Sequence, residues 1–261
     1  MTTLLICHEE DAISREGLAR WLASFSDLVG IIVLRETRGQ VWRRIRRELR
    51  RVGVLRFLDV LAFRAYYNLL IARKDAAWSQ EKLHELILRY PELPKDLPRL
   101  YTHSPNAPEA EGFIRRLRPE IVLARCKFIL KERIFEIPAK GTWVMHPGIC
   151  PEYRNAHGCF WALANRDLKK VGLTLLKIDS GVDTGPVYGY YSYPYDEVRE
   201  THFVIQQRVV LDNLDPLARK FQEIDQGVAR PLDTSGRPSG VWGQPWLSSY
   251  LRWKAAARKE A

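Results

Sequence analysis

The chain has 261 residues, 46% of them hydrophobic and 28% charged, with a formal net charge of +10. These values are typical of a globular protein and exclude disordered, collagen-like and coiled-coil chains, and no apolar run approaches the roughly 18 residues needed to span a bilayer. The positive charge is local, because residues 35–74 hold 12 basic and three acidic residues and so carry +9 of the +10. The four cysteines are too sparse for a disulfide framework and form no C-x-x-C pair, so we expect a cytoplasmic protein that binds no metal.

Short apolar runs alternate with helical patterns in the first half of the chain. The predicted strands are residues 4–7, 28–34, 99–102, 121–124 and 142–145. Strands that alternate with helices are typical of a parallel sheet covered by helices on both faces. Residues 41–90 contain no convincing strand and have Leu and Arg at helical spacing, which predicts a helical insertion.

The second half of the chain continues the same fold class. The predicted elements are a helix at 157–166, strands at 172–178 and 187–193, a helix at 201–224 and a surface tail at 226–245. The fold class is therefore α/β, with a mostly parallel sheet, helices on both faces, a helical insertion and a short C-terminal appendage. Residues 1–195 are predicted to form the α/β domain, and residues 196–261 a C-terminal helix and an irregular tail packed on it.

One histidine and one aspartate are the chemical candidates. His146 directly follows an apolar strand, and open parallel sheets bind their ligands at the carboxyl ends of the strands. Asp183 lies 37 residues later in a loop rich in Gly, Pro and Asp, and one crossover of that length can bring two strand ends together. An imidazole there could donate to an oxyanion or transfer a proton with the carboxylate orienting it. The alternative is a loop histidine bonded to the backbone.

The residues around this pair resemble a known family. The resemblance rests on the motifs His146-Pro147-Gly148, Pro151-Glu152-Tyr153-Arg154, Gly172-Leu173-Thr174 and Ile178-Asp179-Ser180-Gly181-Val182-Asp183-Thr184-Gly185-Pro186. Together they resemble the folate-dependent formyltransferases, which include the glycinamide ribonucleotide, methionyl-tRNA and nucleotide-sugar enzymes. The resemblance is strong over residues 123–190, weaker over 3–35, and absent from the insertion and the tail. It implies a Rossmann-like domain that uses N10-formyltetrahydrofolate as co-substrate and moves its formyl group to an amine.

The resemblance also implies roles for individual residues. His146 would polarise the formyl oxygen, and Asp183 would assist proton transfer from the amine and hold the imidazolium. Where the family has an Asn two residues before the histidine, this chain has Val144, which cannot donate a hydrogen bond. Asn155, His157 and Lys127 are the polar residues considered as replacements, and Asn155 is the one we select as a catalytic candidate.

The remaining site candidates form two groups. The co-substrate candidates are Lys127, Phe128, Ile129 and Leu130 on one side and Asp179, Gly181 and Val182 on the other. The substrate candidates are His8, Glu9, Pro147, Gly148, Tyr153 and Arg154. The apolar members could instead simply cap the core. The loop after the first strand is acidic rather than Gly-rich, which disfavours a phosphoribosyl amine; its carboxylates could attract a cationic amine or cap the next helix.

The basic insertion leaves the partner open. The run Arg43–Arg51, with apolar residues between its arginines, fits an anionic membrane surface, tRNA, a nucleotide-linked or polyanionic sugar, or a solvated helix face. A tRNA substrate is disfavoured, because the family members that use one carry a C-terminal barrel domain and only about 70 residues follow residue 190 here. A small-molecule amine such as a nucleotide-linked amino sugar is favoured, and a homodimer is a candidate assembly.

Two other functions remain open at this stage. A formyltetrahydrofolate hydrolase would use the same cleft with water as the acceptor. A non-catalytic folate- or ligand-binding relative is suggested by Val144, with the basic insertion docking a membrane or a partner.

Overall fold

A computed structural model describes residues 1–260. The strands are β1 (Thr2–His8), β2 (Asp27–Leu34), β3 (Arg99–Thr102), β4 (Ile121–Arg125), β5 (Thr142–His146), β6 (Arg154–Asn155), β7 (Leu173–Lys177), β8 (Val187–Tyr191) and β9 (Val241–Trp242). The α-helices are α1 (Ala19–Ala23), α2 (Arg38–Leu70), α3 (Ala72–Arg89), α4 (Pro108–Leu117), α5 (Glu132–Phe135), α6 (Gly158–Ala164), α7 (His202–Leu211), α8 (Leu214–Asp225) and α9 (Leu247–Glu260). A π-helical segment, Ile13–Leu18, leads into α1, and Leu168–Lys170 is a 3₁₀ turn.

Seven strands form one sheet in the order β3-β2-β1-β4-β5-β7-β8. The first five of these pair in parallel, and β7 and β8 pair antiparallel at one edge. Alternate residues of the central strand β1 enter different cores: Leu5 packs with α1, α2 and α3 on one face, and Ile6 packs with α4 and α5 on the other. The predicted α/β class, with a mostly parallel sheet and helices on both faces, is confirmed.

The insertion is a pair of long helices, α2 and α3. The hydroxyl of Thr37 and the side chain of Gln40 form a capping box that starts α2. At Gly53 the backbone adopts φ 77° and ψ 168°, a conformation that favours glycine, and α2 kinks there. α3 packs on the π-helical segment, where Leu86 leaves no room for a side chain at Gly17. Among residues 1–260, no helix is both long and apolar enough to cross a membrane.

The C-terminal region differs from the prediction. The helix predicted at 201–224 is two helices, because the chain turns at Asn213, whose side-chain amide donates to the carbonyls of Ser192 and Val209. The surface tail predicted at 226–245 contains β9, which pairs in parallel with β6. The indole of Trp242 stacks on Tyr153 at 5.6 Å and on Trp161 at 5.0 Å between ring centroids. Buried aromatic contacts therefore fix part of this segment against the loop that follows β5, and the rest of the chain ends in α9 rather than in an irregular tail.

Candidate active site

The carboxyl ends of β1, β4 and β5 meet at one edge of the sheet, as parallel strands require. They place the side chains of His8, Arg125 and His146 along that edge. Arg125 is partly buried, and its guanidinium donates to the carbonyl of Met145 at 2.8 Å, next to His146. Burial lowers the pKa of Arg125. The sequence analysis missed this residue, although a charge that ends an apolar strand was a signal for it.

His146 is buried and faces Asp183. Its Nδ1 lies 3.4 Å from Asp183 Oδ2, and its Nε2 lies 2.8 Å from the carbonyl oxygen of Tyr153. A carbonyl only accepts hydrogen bonds, so Nε2 carries a hydrogen. Nδ1 is therefore the ring atom that can exchange a proton beside the carboxylate. The ring of His146 thus makes both contacts that the sequence left open: one with a backbone carbonyl and one with Asp183.

The main chain holds Asp183 in place. Its φ of 51° lies in the left-handed region, which is uncommon for a residue with a side chain and is often found at functional sites. The backbone N–H of Asn155 donates to Asp183 Oδ2 at 2.8 Å. Arg154 donates to the carbonyl of Val182 at 3.1 Å, and Asp179 accepts from the N–H of Gly181 at 3.0 Å. Five of the predicted site residues thus act here by ordering the Asp183 loop.

The loop after His146 is clamped by residues of the neighbouring strands. The hydroxyl of Thr174 donates to the carbonyl of Gly148 at 2.6 Å and accepts from the N–H of Cys150 at 2.9 Å. The hydroxyl of Tyr190 donates to the carbonyl of Cys150 at 2.7 Å. Thr174 belongs to a motif that the sequence analysis noted, but neither it nor Tyr190 was a predicted site residue.

Val144 lies on the same face of β5 as His146, in a small apolar cluster. Its neighbours there are Cys150, Leu176, Val187 and Tyr190. Such surroundings suit an isopropyl group, which is partly buried there. The side chain of Asn155 is turned away from this position, because its amide donates to the carbonyl of Trp242 at 2.5 Å. Asn155 reaches the pair through its backbone N–H alone.

His8 lines the neighbouring part of the edge. It is 3% exposed, and its Nε2 accepts from the backbone N–H of Lys127 at 3.0 Å, so Nδ1 carries a hydrogen. Nδ1 has no hydrogen-bond partner and faces Glu10 at 3.8 Å and Glu36 at 4.0 Å. Arg44 of α2 donates twice to Glu36, at 2.6 and 2.7 Å, and lowers the pKa of that carboxyl.

His8, Glu10 and Glu36 are residue types that often bind metals. The nitrogen that His8 would use, Nδ1, however, carries a hydrogen. The ligand atoms of the three side chains lie within 4.8 Å of one another. A metal at His8 Nδ1 would need the lone pair that the ring cannot offer while Nε2 accepts from Lys127. The cluster therefore offers the buried N–H of His8 beside the carboxylates of Glu10 and Glu36. A hydroxyl or ammonium group suits this arrangement better than a metal ion does.

The other predicted site residues are dispersed. Phe128 stacks on His8 at 5.8 Å, whereas Leu130 packs in the core on α4 and Ile129 is exposed. Glu9 is held by Arg35 through a bond of 2.9 Å.

Two further candidates contribute main-chain atoms. The ring of Tyr153 packs on Trp242 and its hydroxyl donates to Asp167, so only its carbonyl faces His146. The carbonyl of Pro147 accepts from Cys159.

A cavity of about 610 Å³ lies at the opposite end of β5 from His146. It is lined by Phe135, Pro138, Gly141, Ile178 and Asp179 among others. Neither His146 nor Asp183 lines it, so this cavity is distinct from the pocket expected beside the pair.

The fold disfavours the thiolate form of all four cysteines. Burial raises the pKa of Cys7 and Cys159 to about 12 and that of Cys126 to about 11, and it also raises the pKa of Cys150. They remain protonated at neutral pH, and a protonated thiol is a poor nucleophile.

Sequence comparison identifies related proteins. A family model described as formyl transferase matches residues 71–213. The methionyl-tRNA formyltransferase of Thermodesulfovibrio yellowstonii is 41% identical over 160 residues, which cover 59% of this chain and 51% of that protein. The methionyl-tRNA formyltransferase of Dehalococcoides mccartyi is 38% identical over 82 residues, or 31% of this chain and 26% of that protein. The chain thus spans between about a quarter and about half of the length of these curated relatives.

Solved structures share the fold. A sugar N-formyltransferase from Shewanella has a TM-score of 0.56 at 12% identity, covering 93% of this chain and 77% of the other. A phosphoribosylglycinamide formyltransferase from Anaplasma phagocytophilum has a TM-score of 0.57 at 13% identity, covering 94% of this chain and 99% of the other. At these identities the likeness concerns the fold alone.

Proposed function

Because the chain belongs to the formyl transferase family, we propose that it transfers the formyl group of N10-formyltetrahydrofolate to the primary amine of a small molecule. The observation that carries this proposal is the buried His146, with Nδ1 3.4 Å from the carboxylate of Asp183. A nucleotide-linked amino sugar is our preferred acceptor. The resemblance confirmed by the family model supports the reaction, and the chemistry of the sheet edge supports the acceptor.

The reaction divides between the two side chains. The amine nitrogen attacks the formyl carbon, the bond from that carbon to N10 breaks, and the proton lost by the amine ends on N10 of the departing tetrahydrofolate. We assign Asp183 to accept the proton of the amine, and His146 to stabilise the charge that develops on the formyl oxygen. Because Nε2 donates to the carbonyl of Tyr153, only Nδ1 is left for this work, and it can donate to the formyl oxygen only as the N–H of the imidazolium that Asp183 holds.

Because Val144 stands where the family has an Asn, the site has one hydrogen-bond donor fewer for the oxyanion. Loss of one such donor typically costs about 2.7–4 kcal/mol in the transition state. We therefore expect a slower chemical step than in a relative that carries an amide there.

The acceptor is inferred from the cluster at the end of β1. The unpartnered N–H of His8 suits a sugar hydroxyl better than a cationic amine, because the carboxylates beside it are already paired, Glu36 with Arg44 and Glu10 with Lys127 at 3.5 Å. The acidic loop lacks the Gly-rich backbone that binds phosphate in the family, which argues against glycinamide ribonucleotide. Methionyl-tRNA is the second candidate, because the curated relatives carry that name.

The test is the release of tetrahydrofolate from N10-formyltetrahydrofolate by the purified chain. The acceptors to compare are a nucleotide-linked amino sugar, glycinamide ribonucleotide, methionyl-tRNA and none. Release only with an amine supports transfer and identifies the acceptor class. Release without an amine indicates a hydrolase, and no release under any condition indicates a non-catalytic relative. The variant His146→Ala, which keeps the strand and removes the imidazole, should abolish release.

A further inference from the structure

The second half of α2 is apolar on two opposite sides. Val60 and Phe63 are buried against the body of the protein. On the outer side Leu55 is 85% exposed and Leu69 is 82% exposed. A helix on the surface of a globular protein ordinarily turns polar residues outward. The outer side of α2 therefore exposes large apolar side chains that no other part of residues 1–260 covers.

The exposed apolar residues form one continuous stripe. At about 100° per residue they fall within roughly 120° of the helix circumference, opposite the buried side. The apolar stripe comprises Val54, Leu55, Leu58, Leu61, Ala62, Ala65 and Leu69.

Charge on this surface has one sign. Every exposed residue of α2 is basic, apolar or glycine, apart from Asn68. The two acids of the helix are turned towards the C-terminal segment: Glu48 accepts from the N–H of Gln244 and pairs with Arg51, and Asp59 accepts from the N–H of Ser248. The exposed residues before the kink are Arg38, Trp42, Arg43, Arg46, Arg47, Arg50 and Arg51 with Gly39.

A cationic cavity of about 420 Å³ lies at the other end of the stripe, between α2 and α9. Its cations are Lys74, Arg199, Lys254 and Arg258, and no carboxylate lines it. Lys254 is 9% exposed and already donates to the carbonyls of Glu197, Val198 and Glu200, so the cations left to meet a phosphate are the other three. Leu70 and Leu251 complete the rim, so apolar and cationic groups adjoin at this end of the stripe as well.

We propose that this surface docks on an anionic lipid bilayer, with α2 lying in the plane of the interface. The apolar stripe would enter the acyl boundary, while the arginines before the kink and the cationic cavity bind headgroup phosphates. An exposed Trp beside arginines on an amphipathic helix is typical of interfacial binding. A second copy of the chain is a poorer occupant, because in a symmetric contact the same face meets itself, and the exposed residues of α2 include no carboxylate to pair with its arginines. This inference does not depend on the proposed enzymatic function.

The experiment is co-sedimentation of the full chain with vesicles of phosphatidylglycerol and phosphatidylcholine, compared with phosphatidylcholine alone. We expect at least tenfold stronger binding to the anionic vesicles, weakened by added salt. Equal binding to both vesicles, or none to the anionic ones, would overturn the proposal.

A charge-matched pair of double variants locates the surface. The combination Leu55→Glu with Leu58→Glu places two charges on the stripe and should reduce binding at least tenfold. The combination Leu88→Glu with Val228→Glu places the same charge on exposed positions elsewhere and should leave binding unchanged. If both double variants lose binding equally, the stripe is not the docking surface.

Solution mass distinguishes the bilayer from a second copy. Sedimentation of the free chain should give a monomer with or without the stripe variant. A dimer that the stripe variant dissociates would assign the stripe to self-association and overturn the proposal.

Discussion

The tautomer of His146 is set by a main-chain atom rather than by a side chain. The carbonyl of Tyr153 fixes the hydrogen on Nε2, so the ring presents Nδ1 to Asp183 whatever substrate is bound. The carboxylate is itself fixed by the N–H of Asn155. Replacing the side chain of Tyr153 or Asn155 would leave these contacts available, and the chemistry of the pair depends most directly on His146 and Asp183.

Changing Asp183 to Asn tests that dependence. The amide oxygen can still accept from Asn155, so the loop should keep its shape, but the group can no longer take a proton. We expect turnover to fall by about 10²–10⁴-fold, the usual contribution of a general base. Steady-state rates with saturating N10-formyltetrahydrofolate and acceptor would measure it.

The matched control is Asp233→Asn, an exposed carboxylate outside the site that likewise accepts from a main-chain N–H, that of Ser235. It should retain most activity. Unchanged turnover in Asp183→Asn would remove this carboxylate from the mechanism.

The substitution Val144→Asn, which introduces the amide that the family carries at this position, should not increase turnover. Val144 is partly buried against Cys150, Leu176 and Val187, so an amide would put a polar group in place of these apolar contacts, at a cost of about 1–3 kcal/mol. We expect lower stability in urea unfolding and turnover no higher than that of the unaltered chain. A gain in turnover would mean that the amide reaches the oxyanion after all.

Sequence reasoning located the side chains of the site better than its backbone. The spacing of His146 and Asp183 on successive elements implied that they meet, and they lie 3.4 Å apart. The carbonyl of Tyr153 and the N–H of Asn155 could not be inferred, because main-chain contacts do not depend on side-chain identity. The amide of Asn155 was expected at the histidine for its chemistry, yet the pairing of β6 with β9 draws it to Trp242.

At the scale of elements, the loop after β5 and the start of α6 touch through two glycines. A side chain at Gly148 would lie 2.6 Å from the carbonyl oxygen of Tyr153 and 2.8 Å from both Gly158 and His146 Nε2. The close approach lets the loop place the Tyr153 carbonyl under the imidazole. The geometry of the pair is thus built by packing between two elements.

Gly148→Ala should disrupt that packing. Backbone atoms must shift to admit the methyl group, so we expect a loss of about 1–3 kcal/mol in the free energy of unfolding, as in overpacked sites, together with loss of turnover because Tyr153 and His146 move apart. Gly112→Ala in α4 is the control, since nothing lies within 4 Å of the added carbon and it should stabilise by about 0.5–1 kcal/mol. If Gly148→Ala proved as stable and active as Gly112→Ala, the contact would not constrain the site.

Elements with a strong local pattern were predictable, and short ones with distant partners were not. The strand predicted at 99–102 begins and ends at the same residues as β3. The predicted helical insertion is present as α2 and α3. The break at Gly53 escaped notice because one glycine within a helical pattern is usually tolerated. β9 is a two-residue strand whose partner lies far away in the chain, so no periodicity could reveal it.

At the scale of the whole molecule, folding strongly lowers the pKa of two histidines that an unfolded chain would expose. Burial lowers the pKa of His157 to about 4 and that of His202 to about 3, from an ordinary value of 6.5. The rings of Phe63, Phe160 and Tyr250 surround His202, which is why its charged form is so unfavourable. The folded state keeps both imidazoles neutral at pH values where the unfolded chain takes up protons.

The stability of the fold should therefore fall on acidification through a window set by these histidines. Their contribution is complete above pH 6.5 and decreases as the pH falls from 6.5 towards 4 and 3, because only the unfolded state gains the protons. For His202 alone the loss reaches about 2 kcal/mol at pH 5, at about 1.4 kcal/mol for each pH unit. Carboxylates whose pKa the fold lowers, such as Glu36, act only nearer their ordinary value of 4.5, whereas burial raises the pKa of Asp75, which favours the fold on acidification and opposes the histidines.

His202→Leu should flatten this dependence. Urea unfolding at pH 6.5, 5.75 and 5 would show a slope smaller by about 2 kcal/mol over the window than in the unaltered chain, since leucine takes up no proton in either state. His84→Leu, on the exposed side of α3, should keep the original slope and controls for the loss of one histidine. A full slope in His202→Leu would show that burial of this ring does not govern acid stability, and the search would move to His157.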